Sequence, residues 1–287
     1  MNDLNERIDV MDHKIWDCHV HLFPNRLFKA IFRWFDAHNW IIPYNSWSYR
    51  ELQNYLESLG VERAFLLTYA HKADISMTLN QWVRDFCRDN PMFIPFACIH
   101  PDDHHLERNI ETVLDEWDFV GFKLQLAVQG FSAADPRLKP IYHAAEKRGK
   151  PVIIHTGTAP YQAKDYPLLG IDYLLPVLKE FPELKVLVPH FGLFEMEKTF
   201  ALLADFPNLY LDTSWAMGNP TQHLDQGRLQ EIMQLYPQRF LYGSDFPIME
   251  HDPKNAIDEL MNLGLSHPVL GNVLKDNAMR LIKTVDK

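Results

Sequence analysis

Short β-rich apolar runs alternate along this 287-residue chain with longer segments of helical periodicity. The runs cover residues 15–22, 63–70, 93–100, 119–126, 152–158, 185–192, 209–214 and 240–247. Their near-continuous apolar character suits strands buried on both faces, as in a parallel sheet. Between them, Ser48 and Glu51 form a capping box ahead of Leu52, Tyr55, Leu56 and Leu59, and Gly60 ends that helix. Leu106, Ile110, Val113, Leu114 and Trp117 make a second stripe of period 3.6. Asp135-Pro136 opens a helix that Gly149 closes, and residues 269–282 form a final one. No linker or low-complexity tract interrupts the alternation. The pattern predicts an α/β fold, a single (β/α)8 TIM barrel spanning residues 1–287, with a long aromatic loop after strand 1 and a C-terminal helix.

That loop, residues 23–49, is rich in Phe, Trp and Tyr with Arg26, Lys29 and Arg33 interleaved. A long connection at the C-terminal face of a barrel lies over the active site, so a lid or pocket wall is expected. A satellite core or a dimer patch is the bland alternative, since aromatic side chains bury area whatever their function.

Barrel active sites lie where strands end, so the useful residues are those at the ends of the runs. The first run reads W-D-C-H-V-H, and period-2 alternation places His19 and His21 on one face. The fifth ends V-I-I-H-T-G with His155, the sixth L-V-P-H-F-G with His190, and the eighth L-Y-G-S-D-F-P with Asp245. Any one of these alone is ordinarily a satisfied core residue. Five polar groups ending four apolar strands point to a metal site, because buried polar groups are costly without partners.

Composition narrows the partners. Lys+Arg is 28 against Asp+Glu 38, a formal net charge of −10, and there is no basic stripe, so nucleic acid is not expected. Cys18, Cys87 and Cys98 lack metal-finger or paired spacing, which suits a reducing, cytoplasmic setting. The first residues are polar without a signal-peptide core, and no apolar stretch approaches the roughly 20 residues a membrane helix needs. A soluble protein is expected.

Taken in order, HxH on the first strand, His on the fifth, His on the sixth and Asp on the eighth resemble the amidohydrolase superfamily. DCHVHLFP, IPFACIHPDD, GFKLQLAVQGF, VPHFG, LYLDTS and FLYGSDFP are similar to its amidohydrolase-related branch, with the likeness extending over residues 17–282. That branch holds metal-dependent TIM-barrel hydrolases, lactonases and decarboxylases similar to aminocarboxymuconate semialdehyde decarboxylase.

The resemblance implies His19, His21 and His155 as metal ligands, with Asp245 as a fourth ligand or close neighbour that also collects a proton. It implies that His190 polarises the substrate or transfers a proton. One divalent ion per chain is favoured, zinc first, with manganese, iron or cobalt also suited to nitrogen and oxygen donors. Lys123 sits on the fourth strand, sharing a face with Gln125, and is expected to be a free, substrate-facing cation, with carboxylation to a bridging ligand or structural support as alternatives. Asp212 and Ser214 could orient a ligand or cap a loop, and His100 could support the site or start a helix. Cys18 should be packing, and His104, His105, His223, His251 and His267 mostly solvent-exposed.

The leading expected activity is hydrolysis of a small carboxylated ester, lactone or amide by metal-bound hydroxide. Its rival is non-oxidative decarboxylation of an aromatic or unsaturated acid, which the same five residues serve. A catalytically silent ligand-binding barrel is disfavoured because none of the five is lost. The expected partner is a small anionic substrate, and the aromatic loop and the resemblance raise a homodimer as an option.

Overall fold

The computed structural model describes residues 14–157 and 167–283. All eight apolar runs contain strand, each shorter than its run. They are β1 (Ile15–Val20), β2 (Val61–Leu66), β3 (Phe93–Pro95), β4 (Ala97–Cys98), β5 (Phe122–Leu124), β6 (Val152–Ile154), β7 (Val186–Val188), β8 (Leu209–Asp212) and β9 (Phe240–Leu241). The third run supplies both β3 and β4. Its first half pairs with β2 and its second with β5, all in parallel.

Around that switch Phe96 N donates to Leu66 O at 3.3 Å and Ala97 N to Gly121 O at 2.9 Å. The other seam runs between β1 and the segment after β9. Cys18 N donates to Tyr242 O at 2.9 Å, His21 N to Phe246 O at 2.8 Å, and Asp245 N to His19 O at 2.9 Å. With β4 to β9 paired in chain order, these bonds complete a ring of parallel strands, the TIM barrel.

The strands are short because the ends of the runs leave the ladder. In β1 the register with β2 shifts between Asp17 and Val20, so the HxH segment sits on a bulge. Bulges of this kind re-aim side chains beside active sites. After β7, His190 (φ 57), Phe191 (φ 55) and Leu193 (φ 54) all take left-handed backbone around Gly192. Non-glycine residues reach that region at a cost, and a run of them reads as backbone held for function.

The capping box is present: Glu51 N donates to Ser48 Oγ at 3.3 Å and Ser48 N to Glu51 Oε2 at 2.7 Å, opening α2 (Tyr49–Ser58). Asp135 caps the turn before Lys139–Lys147, and the final helical stretch runs without a break from His267 to Ile282.

The segment after β1 corrects the sequence expectation of a loop. Residues Asn25–Ala37 form a helix, α1, that buries Phe28, Phe32 and Phe35. Their spacing of four and three residues is helical, a signal that the density of aromatics on the other faces obscured.

Gly157 (φ +98) closes the turn after β6, where a Cβ would run into the Gly192 carbonyl. Gly157→Ala combines that overlap with a left-handed backbone. It should cost on the order of 1–3 kcal/mol, read as a lower denaturation midpoint at unchanged slope.

Candidate metal centre and its cavity

His19 and His21 are buried at the bulged end of β1, with their Nε2 atoms 3.1 Å apart. Their other nitrogens settle the tautomers. His21 Nδ1 lies 2.7 Å from Leu67 O, an atom that only accepts, so Nδ1 carries the proton. His19 Nδ1 lies 2.9 Å from Asp212 Oδ2 and donates to that carboxylate. Burial, and then the charge of Lys123, hold His19 well below the usual imidazole pKa, so it is neutral.

Asp245 completes the group. Its backbone is left-handed (φ 67), which aspartate tolerates better than most residues. Oδ1 lies 3.2 Å from His21 Nε2 and 3.5 Å from His19 Nε2. Burial pushes its carboxyl up, but the His21 hydrogen bond and the surrounding histidines outweigh this and leave it below the ordinary range.

His19 Nε2, His21 Nε2 and Asp245 Oδ1 therefore converge, with Lys123 Nζ 3.2 Å from the first of them. One proton on His21 would satisfy one contact, whereas a divalent ion satisfies all three. Nitrogen and oxygen donors at this spacing suit ligand distances of about 2.0–2.2 Å, so the residues fit a metal ion. Among the described residues, His19, His21 and Asp245 are the group whose ligand atoms all lie within 4.8 Å of one another.

His155 was expected in the same set and falls outside this tight group. It is buried (6% exposed) at the end of β6, and neither ring nitrogen has a hydrogen-bond partner. Burial, and then His190, keep it well below the usual pKa. Its ring stands 5.0 Å from that of His190, centroid to centroid, and both line the cavity described below. His190 Nδ1 donates to Ser214 O at 2.8 Å, and its backbone N donates to Asp212 Oδ1 at 2.9 Å.

Asp212 thus ties the centre together. Fully buried, it accepts from His19, from the backbone of His190 and, at 3.0 Å, from Ser214 N, and it also bonds the Ser214 hydroxyl. It makes the contacts of both roles open from sequence, to His19 on one side and to the loop at Ser214 on the other. Asp17, which sequence reasoning passed over, acts similarly: Oδ1 accepts from His19 N and Ser244 N, both at 3.0 Å, and burial pushes its carboxyl up to about 7.

Lys123 is fully buried and is not among the residues that line the cavity. Register pairs it with Ile153 and Ile153 with Leu187, which places it on the face carrying the Cys18, Phe65, Ile153, Leu187 and Leu241 cluster. There Nζ lies 3.2 Å from His19 Nε2. Burial lowers its pKa to about 8 against the pull of Asp212 and Asp245. Cys18 is packing, as expected. His100 serves its loop, where Nδ1 accepts from Asp102 N at 3.2 Å. His251 corrects the expectation of exposure, being 8% exposed.

The centre opens into a cavity of about 380 Å³. His21, His155, His190 and Asp245 line its closed end. The inner face of α1 (Leu27, Ile31, Trp34) forms one wall, with Trp40, Trp215 and Ile248 adding to the lining, so residues 27–40 of the aromatic segment wall the pocket. The cations of that segment do not take part: Arg26, Lys29 and Arg33 are exposed on the outer face of α1 and do not line the cavity. His71, just past the second run, and Gln125, after β5, add polar groups that sequence reasoning had not assigned to the pocket. Only their position after strand ends hinted at it.

The Amidohydrolase family profile matches residues 16–284. No curated protein matches the chain by sequence. Among solved structures, an uncharacterised TIM-barrel protein from Bordetella bronchiseptica superimposes with TM-score 0.73 at 20% identity, covering 93% of this chain and 98% of that one. The 5-carboxyvanillate decarboxylase of Sphingomonas paucimobilis gives 0.68 at 16%, covering 95% and 99%. A dihydroxybenzoic acid decarboxylase from Polaromonas, solved with manganese and 2-nitroresorcinol, gives 0.66 at 15%, covering 94% and 97%. At these identities the likeness establishes a shared fold.

Proposed function

The chain belongs to the amidohydrolase family, and on that premise we propose that it is a metal-dependent, non-oxidative decarboxylase of an aromatic carboxylic acid. One observation carries the choice over hydrolysis: the centre opens onto an apolar wall of Leu27, Ile31, Trp34, Trp40, Trp215 and Ile248. Such a wall takes an aromatic ring, whereas an ester, lactone or amide would present polar atoms to it. The decarboxylases among the structural neighbours support the same ordering, reversing the one favoured from sequence. We read residues 1–287 as one domain, placed in the cytoplasm in keeping with three buried, unpaired cysteines.

His19, His21 and Asp245 are assigned to hold the ion, with His155 as a further donor on the resemblance and on its two unpartnered nitrogens. Bound there, a divalent ion supplies positive charge that anchors the substrate carboxylate, and the manganese of the Polaromonas enzyme makes manganese the first ion to try. The apolar wall positions the ring and excludes water. As the ring–carboxyl bond breaks, carbon dioxide leaves, the electron pair stays on the ring carbon, and a proton arrives there. Asp245 and His190 both line the closed end and are the groups placed to deliver it. His190 is held for this by its Nδ1 bond to Ser214 O, which leaves Nε2 for the cavity. Lys123 stands beside the centre, its Nζ 3.2 Å from His19 Nε2.

Incubating the manganese-loaded protein with a panel of aromatic acids in D2O tests the reading. Each turnover should release one carbon dioxide and leave one deuterium at the vacated ring carbon. Cleavage of esters, lactones or amides, with no carbon dioxide from any acid, would return the assignment to hydrolysis.

A further inference from the structure

The immediate chain neighbours of the lining residues carry an unexpected charge. Among the described residues they include Arg26, Lys29 and Arg33 beside Leu27, Ala30 and Trp34, Lys72 beside His71, and Asp36 beside Phe35. Four cations against one acid give +3 around the cavity of a chain whose formal net charge is −10. The acid within the lining, Asp245, is assigned to the ion.

All four cations are exposed. Among the described residues none of them forms a salt bridge, whereas Lys139, Arg148, Lys198 and Arg228 elsewhere on the barrel each do. A paired charge projects little field into solvent, and an unpaired one keeps its own. That field reaches the lining: after burial, the charge of Lys72 is the next cause holding the His71 imidazole below its usual pKa.

Geometry separates entry from binding. Arg26, Lys29 and Arg33 stand on the outer face of α1 while Leu27, Ile31 and Trp34 face the cavity. A helix with its side chains is about 10–12 Å across. That is beyond contact with a bound ligand, yet well within the Debye length of about 30 Å at about 10 mM ionic strength.

We infer that Arg26, Lys29, Arg33 and Lys72 form a cationic collar that steers an anionic substrate into the cavity against the repulsion of the acidic chain. The inference rests on the proposed function for one point, that the substrate enters as a carboxylate. The collar acts on the approach, and the centre and the apolar wall hold the bound molecule. It therefore sets the association rate.

Stopped-flow mixing of the full-length, manganese-loaded protein with 4-nitrobenzoate tests this, with uncharged 4-nitrobenzamide as the comparison. Nitro groups quench indole fluorescence, and Trp34, Trp40 and Trp215 on the cavity wall supply the signal. With Arg26→Gln, Lys29→Gln and Arg33→Gln combined, association of 4-nitrobenzoate should slow about fivefold at about 10 mM ionic strength. At about 0.15 M, where the Debye length is about 8 Å, the loss should shrink below about twofold. Dissociation should stay within about twofold throughout, and the amide should enter both proteins equally fast. Lys147→Gln, Lys179→Gln and Lys283→Gln combined remove the same charge from helix ends on the opposite face of the barrel. That variant should keep the association rate of the wild type. An anion that enters the α1 variant at full speed, an amide slowed as much, or an equal loss in the distal variant would overturn the inference. So would a 4-nitrobenzoate that does not bind. Association is read without turnover, so the two readings fail separately. If no acid releases carbon dioxide while the anion-specific slowing remains, the collar stands and the decarboxylase reading falls.

Discussion

Asp245→Asn will cut turnover by about 10²–10⁴ in protein saturated with metal. Asparagine keeps the size of the side chain and one oxygen where Oδ1 now lies 3.2 Å from His21 Nε2 and 3.5 Å from His19 Nε2. It loses the negative charge and the ability to take up and release a proton. Some loss of metal affinity follows from the missing charge, so kcat is measured at saturating manganese with metal content determined on the same sample. A metal-replete variant with near-normal kcat would show that the proton moves through another group, with His190 then the one to substitute.

Asp212→Asn will weaken metal binding by about 10- to 100-fold although residue 212 is not itself a ligand. Its Oδ1 accepts from the backbones of His190 and Ser214, at 2.9 and 3.0 Å, so the oxygen of an asparagine would keep that side. The amide NH2 would then face His19 Nδ1, which now donates to Oδ2 at 2.9 Å. Two donors cannot share that contact, so His19 would move its proton to Nε2 and lose the lone pair offered to the ion. Competition against a chelator of known affinity reads the effect. An unchanged manganese affinity would mean that the tautomer of His19 is set by something other than Asp212.

How much of this was legible in the chain follows from the range of each interaction. Local periodicity is enough to mark a strand buried on both faces, so all eight runs and the capping box at Ser48 could be located. It is also enough to place His19, His21, His155, His190 and Asp245 at strand ends, since in a parallel barrel those ends share one mouth. The helix α1 was readable too, through Phe28, Phe32 and Phe35, but was lost among its neighbours.

Asp212 shows what such patterns cannot carry. Its bond to Ser214 is local, but its other partners, His19 and His190, lie 193 and 22 residues away, and no spacing rule links them. Lys123 shares a strand face with residues on β6 and β7, and only the register between strands brings its Nζ to 3.2 Å from His19 Nε2. In the same way, the outward turn of Arg26, Lys29 and Arg33 leaves the pocket without their charge. The sequence by itself determined the barrel and the donor atoms at its mouth, because burial and alternation act between near neighbours. Which donors converge, which cations are turned away and what shape of molecule fits were decided by the tertiary structure, where contacts between distant strands set distances that no local pattern encodes.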